Sequence, residues 1–445
     1  KVLSGFIGVL FCIGIVSAQS LAMGYLLEST FSIPKELGIT IGAAVIIIYS
    51  TFGGIRSVTI TDIIQFAILI VVIPLVANIA VSESGGLITL LSKVPESKLT
   101  VFAHDKFWDF FVIFLVWGVF PAFLLSPASI QRMLMARDTK LISKMFYISA
   151  LVTIPFEAMI LLIGFVAVVT FPEIQSGLAL PTVINQMLPP FVKGLAVAGV
   201  LAVVMSTADS FLNSGAILFV HDVMKPILKK RSFKELRWAK ISTLVMGCAA
   251  IFMAINASSI ILIEMYAVSL WGPVITIPLA ATILGFKSTP KSLMISTIIT
   301  ITFYIIGMNY AHPKIQTFVP LLSILVNIIS FTIASKYYAP STKEFAGHIK
   351  KGNIVNFKKC FSKLSSFSFV DELNTRVLKN GSDHIVFAIF CTLNFIVPYF
   401  MWTHEEPVNY NTMIALRLAS GFLCVGLLLK DYWSKPIQKY FGLYW

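Results

Sequence analysis

Long apolar stretches separated by short polar clusters recur along all 445 residues. A helix needs about 20 apolar residues to cross a bilayer core. Runs of that order fall near 2–27, 37–52, 60–81, 107–125, 146–171, 194–220, 241–255, 260–284, 292–308, 318–335, 385–402 and 412–429. The second run is short, and only residues 256–259 separate the seventh from the eighth. Continuous apolar runs with sharp breaks differ from the ten-residue alternation of barrel strands. They predict an all-α integral membrane protein of about twelve transmembrane helices.

Composition strengthens that reading. Hydrophobic residues make up 57% of the chain and charged residues 12%, where a soluble domain carries about 25% charge. A net charge of +13 raises the question of nucleic acid, and its distribution answers it. With Lys1 placed inside and the spans alternating, 27 of the 34 Lys and Arg residues fall on inner segments and six on outer ones. Arg417 is left within a span. This asymmetry is what membrane insertion imposes. It predicts a multi-pass membrane protein with both termini cytoplasmic and no nucleic-acid partner. Five scattered cysteines and six histidines without ligand spacing predict neither a disulfide framework nor a transition-metal site. No enzymatic activity or organic cofactor is expected.

The chain divides into a membrane core over 1–338, a cytosolic segment over 339–384 and two further helices within 385–445. Nine basic residues lie between Lys336 and Lys379, and Ile354, Phe357, Phe361 and Leu364 recur at helical spacing. A basic amphipathic helix over 352–366, lying on the anionic inner leaflet, fits this pattern; so does an ordinary cytosolic helix.

One apolar run is interrupted in an unusual way. Within "AVVMSTADSFLNSG", Ser206, Asp209, Ser210, Asn213 and Ser214 fall at i, i+3, i+4, i+7 and i+8, one face of a helix. Ser206 is thirteen residues from the outer Lys193, roughly 20 Å at helical rise, so the stripe runs from mid-bilayer toward the cytoplasm. A carboxylate there costs about 2.5–3.5 kcal/mol unless paired or hydrated. Hydroxyls and carbonyls suit a hard cation. They also serve as interhelical glue, and the stripe alone fits both. Glu157, two residues after Pro155, is a second intramembrane acid, suited to a proton or ion path or to a hydrogen bond with a neighbouring helix. Between the second and third runs, "YSTFGGIRSVTITDIIQ" (residues 49–65) predicts a cytoplasmic turn at Gly53 and Gly54, with Asp62 capping the following helix.

The wording of that turn resembles the sodium:solute symporter family, in which Tyr-x-x-x-Gly-Gly precedes Val-x-x-Thr-Asp-x-x-Gln. "LLESTF" (26–31) and "VVMSTADS" (203–210) match the same family in the same order, and the likeness spans about residues 2–336. It implies a leucine-transporter-like bundle of two inverted five-helix repeats with sites at the midplane. It also implies a sodium ion held by the Val203 carbonyl and the Ser206 and Thr207 hydroxyls, with Asp209 as a supporting or gating group. The first run here resembles the family's third helix of the first repeat. The chain therefore reads as N-terminally truncated, with three upstream helices expected as partners. The fourth run, "VWGVFPAFLLSPASIQR", has the prolines of a discontinuous helix. Proline-type members carry Trp and Tyr eight and four residues before its second proline, Pro127; here those positions hold Val119 and Phe123, with Trp117 two residues away. Trp117, Phe123 and Pro127 are the expected substrate residues, and the lost phenol argues against proline as the solute. The expected function is sodium-coupled symport of a small organic solute such as an amino acid, vitamin or carboxylate. The alternatives are the sensory membrane part of a histidine kinase, with a kinase module as partner, or a non-functional remnant.

Overall fold

The structure is a computed structural model that describes residues 1–99, 111–112, 115, 125–228, 234–283, 288–316 and 318–338. The described residues are helical apart from their connections, with no strand among them. Nine helices among them are long and apolar enough to cross a membrane: α1 Val2–Phe31, α2 Lys35–Ile55, α3 Ser57–Glu83, α4 Leu141–Thr170, α5 Pro190–Leu228, α6 Glu235–Ile255, α7 Ile260–Ala281, α8 Pro290–Tyr310 and α9 Val319–Tyr337. They account for nine of the twelve expected spans. The runs at 385–402 and 412–429 and most of 107–125 lie outside the described residues, as does the basic segment 352–366.

The burial pattern reverses that of a soluble protein. Phe52, Ile154, Phe252 and Tyr310 point outward, each at least 70% exposed, while Asp209 is 0% exposed. A bilayer supplies the reason: lipid solvates apolar side chains on the outside, and polar groups must find partners within the bundle.

Helix α1 is the hub, packed against α2, α5, α6 and α7. Its core residues Phe11, Cys12 and Ile15 are fully buried, with the Phe11 ring stacked on Trp271 and edge-on to Phe211. Small residues allow this density, because association in lipid relies on close backbone packing. A Cβ at Gly14 would lie 2.7 Å from the Cβ of Ala267 on α7. At Gly199 of α5, an added Cβ would sit 2.7 Å from a Val72 methyl of α3. Helices α3 and α5 run antiparallel, with Val72 against Gly199 and Asp62 against Ser206.

The α2–α3 turn is sharper than the sequence suggests, and the next helix begins earlier. Gly54 alone breaks the helix, at φ 57° and ψ −159°, a conformation open only to glycine. Helix resumes at Ser57, so Asp62 lies inside α3 rather than capping it. Its carboxylate reaches across to α5 instead, since backbone donors in the second turn are already taken by intrahelical bonds.

Candidate functional site

The polar stripe in the C-terminal half of α5 meets three elements. From the end of α2, the Tyr49 hydroxyl donates to Asp209 Oδ2 at 2.6 Å. From α3, the Thr61 hydroxyl lies 3.4 Å from the same oxygen, with closer acceptors in the Val58 and Ser57 carbonyls of its own helix, and Asp62 Oδ1 accepts from the Ser206 hydroxyl at 2.6 Å. Ser210 completes the set by donating to Asp209 Oδ1 at 3.3 Å. The break at Gly54 is what lets both arms of the turn face α5.

The third element is the short helix Pro127–Leu134. Pro127 occupies its first turn, where a missing N–H costs nothing, and the Ser126 hydroxyl caps it by accepting from Ser129 N at 3.3 Å. This helix lays Gln131 and Arg132 on α5. Arg132 Nη2 donates to Asp62 Oδ2 at 2.8 Å and to Ser210 Oγ at 2.5 Å. The Ser214 hydroxyl donates to Gln131 Oε1 at 2.5 Å. Among the described residues, therefore, two carboxylates face one guanidinium, and the nearest donors to Asp209 are neutral hydroxyls. Hydroxyls satisfy its hydrogen bonding without cancelling its charge.

The residues expected to bind the ion adjoin this network, and Ser206 belongs to it. Val203, Ser206 and Thr207 are all half-buried on α5. Thr207 Oγ1 donates to the Val203 carbonyl at 3.4 Å, a bond within its own helix. Ser206 gives its proton to Asp62, which leaves its oxygen lone pairs available to a cation. Asp209, Ser210, Asn213 and Ser214 are buried. Pro127 is buried at the head of the short helix; Trp117 and Phe123 lie outside the described residues. Glu157 is exposed on the outer face of α4 and no described residue pairs with it, so it stands apart from the site.

Sequence reasoning missed the roles of Arg132, which entered only as an inner charge, and of Gln131, which entered only as part of the quoted fourth-run motif. The available signal was the proline-headed polar helix, with both residues on one face just past a span.

A multi-pass helical membrane protein with one carboxylate on a hydroxyl-bearing core helix and a second facing it from the neighbouring helix is the class these features define. The sodium:solute symporter family matches over residues 1–300, and the chain belongs to that family. Among similar proteins are a sodium/pantothenate symporter of Haemophilus influenzae, 26% identical over 259 residues (56% of this chain, 53% of the relative), and a sodium/proline symporter of Escherichia coli, 26% identical over 276 residues (59% and 54%). The chain thus spans about half the length of the curated relatives it matches. Among solved structures, a Na+-coupled sialic acid symporter in a substrate-bound outward-open state superimposes with a TM-score of 0.62 at 21% identity, covering 76% of this chain and 74% of that one. The fold is accordingly leucine-transporter-like, as the motifs imply.

Proposed function

We propose that this chain serves sodium-coupled uptake of a small organic solute across the bacterial cytoplasmic membrane, with its termini inside. The coupling ion sits on the Val203 carbonyl and the Ser206 and Thr207 hydroxyls. The observation that carries this reading is the Ser206–Asp62 bond at 2.6 Å: it orients a hydroxyl oxygen and places negative charge behind it. A carboxylate set back from the ion contributes attraction without the rigidity of a direct ligand. Solute contacts fall to Pro127 with Trp117 and Phe123.

The coupling needs no chemical step. One sodium charge moving inward yields about 2.3 kcal/mol per 100 mV, and each tenfold concentration gradient adds about 1.4 kcal/mol. Together these sustain roughly several-hundredfold accumulation of a neutral solute. The short helix Pro127–Leu134 acts as the inner gate, held shut by Arg132 on Asp62 and Ser210 and by Gln131 on Ser214. Asp209 serves the gate through Tyr49 rather than ligating the ion.

Thermal unfolding of the purified 445-residue chain in sodium or potassium salts tests the ion site, because a ligand bound only by the folded state raises its stability. Sodium should stabilise, and Thr207→Ala should raise the sodium concentration required by about tenfold, the loss of one ligand of about 1.4 kcal/mol. Ser214→Ala, two turns away, should leave that concentration unchanged. Equal stabilisation by both cations, or a Thr207→Ala protein that unfolds earlier with its sodium dependence intact, would make the stripe packing glue.

A further inference from the structure

Helix α4 has two unlike faces. Phe156, Met159, Ile163 and Val166 are buried in the core that α4 shares with α3. The opposite face exposes Ile154 at 70%, Ile160 at 50% and Leu161 at 56%, and Glu157 lies among them, also exposed. A Cβ added at Gly164 of this helix meets nothing. Apolar side chains there suit lipid; a carboxylate does not.

Glu157 is too deep to escape by reaching for water. It lies thirteen residues from Lys144, the last inner charge before it, which is about 20 Å at helical rise. Its side chain extends only about 5 Å, and snorkelling is the habit of the longer Lys and Arg. An unpaired charge at that depth is among the costliest groups to insert.

The sequence holds one group of opposite sign at the same depth. Of the three apolar runs wholly or mostly outside the described residues, 107–125 and 385–402 contain no basic residue, whereas 412–429 contains Arg417. Arg417 lies thirteen residues before Lys430, the first inner charge after it, again about 20 Å. In the twelve-span topology expected from the charges the two runs cross in opposite directions, so depth measured from the inner side is the same for both.

We propose that the C-terminal span 412–429 docks along the exposed face of α4, antiparallel to it, with Arg417 paired to Glu157 inside the bilayer. The occupant is this chain's own last span, chosen by charge and depth together. The pair neutralises both groups where water is absent, and a guanidinium can hold a carboxylate through two parallel bonds. It fastens the family core to the segment that follows it, so that movement of α4 is transmitted to the last span. The docking does not depend on the ion site or on transport.

Cysteine crosslinking in native membranes tests the register while keeping both charges. In a full chain whose own five cysteines are replaced, Ile154→Cys and Ser420→Cys each lie about one turn inward of the pair. Oxidation should join them within one chain, seen as fragments that stay together after proteolysis between residues 339 and 384. Ile154→Cys with Met413→Cys, one turn outward of Arg417, should join far less. A crosslink between two copies would assign the face to a second molecule and overturn the proposal, as would no crosslink in either pair. Charge exchange supplies an independent reading. Glu157→Arg and Arg417→Glu should each lower the folded fraction extracted from membranes, and the double exchange should recover it by about tenfold over either single variant. Additive losses would equally overturn the pairing.

Discussion

Replacing Arg132 by glutamine isolates the gate from the ion site. The change keeps side-chain length and some hydrogen bonding but removes the charge that bridges Asp62 on α3 and Ser210 on α5. The structure sets the scale. The Arg132–Asp62 contact is 2.8 Å, with the two side chains 49% and 24% exposed. A hydrogen bond to a charged group contributes about 1.5–3 kcal/mol when sheltered, while fully exposed ion pairs contribute about 0.2–1 kcal/mol. Half-exposure puts this bridge at about 1–2 kcal/mol. Losing it should raise the ratio of undocked to docked short helix by about tenfold. The measurement is alkylation of Ser214→Cys, a position held under Gln131 in the docked state, in membranes open to a soluble thiol reagent. When docking and undocking are fast, the rate follows the open population. Arg132→Gln should therefore speed labelling by about tenfold. Arg132→Lys should fall between, since an ammonium lacks the planar fork that spans both partners. Labelling at Ser17→Cys, fully buried on α1, controls for general loosening and should not change. A rate at Ser214→Cys within about twofold of the parent, with the fold intact, would refute the gate assignment and leave Arg132 an ordinary inner charge.

Two further outcomes check the packing and the orientation. Gly14→Val should lower the thermal midpoint of the detergent-extracted protein by several degrees, because its Cβ would meet Ala267 at 2.7 Å and overpacking costs about 1–3 kcal/mol; an unchanged midpoint would mean that α1 and α7 are not in close contact. A cysteine at Ser232, within the inner basic segment between α5 and α6, should react with an impermeant reagent in opened membranes but not in intact cells; reaction from outside would reverse the topology.

Much of the architecture was written in one dimension. Span lengths follow from bilayer thickness, and the expectation of 27 inner cations from insertion; neither depends on which helices touch. The α5 stripe was legible for a similar reason, since Ser206, Asp209, Ser210, Asn213 and Ser214 share a face at any packing. What these residues touch was not legible. Tyr49 and Asp209 are 160 residues apart, Asp62 and Ser206 are 144 apart, and Arg132 and Asp62 are 70 apart. Antiparallel packing of α3 on α5, and the glycine break before it, bring them together. Locally, Asp62 had as much reason to cap a helix as to cross to another, and Arg132 looked like any inner cation. Glu157 shows the converse: its acidity in a span was plain, but only the packing of α4 decided that it faces away from the core. Hydropathy and periodicity fix which side chains share a helix face, because those quantities are local. Partners are chosen by the helix that arrives opposite, and that depends on close approaches such as Gly14 on Ala267 and Gly199 on Val72, which no single segment specifies.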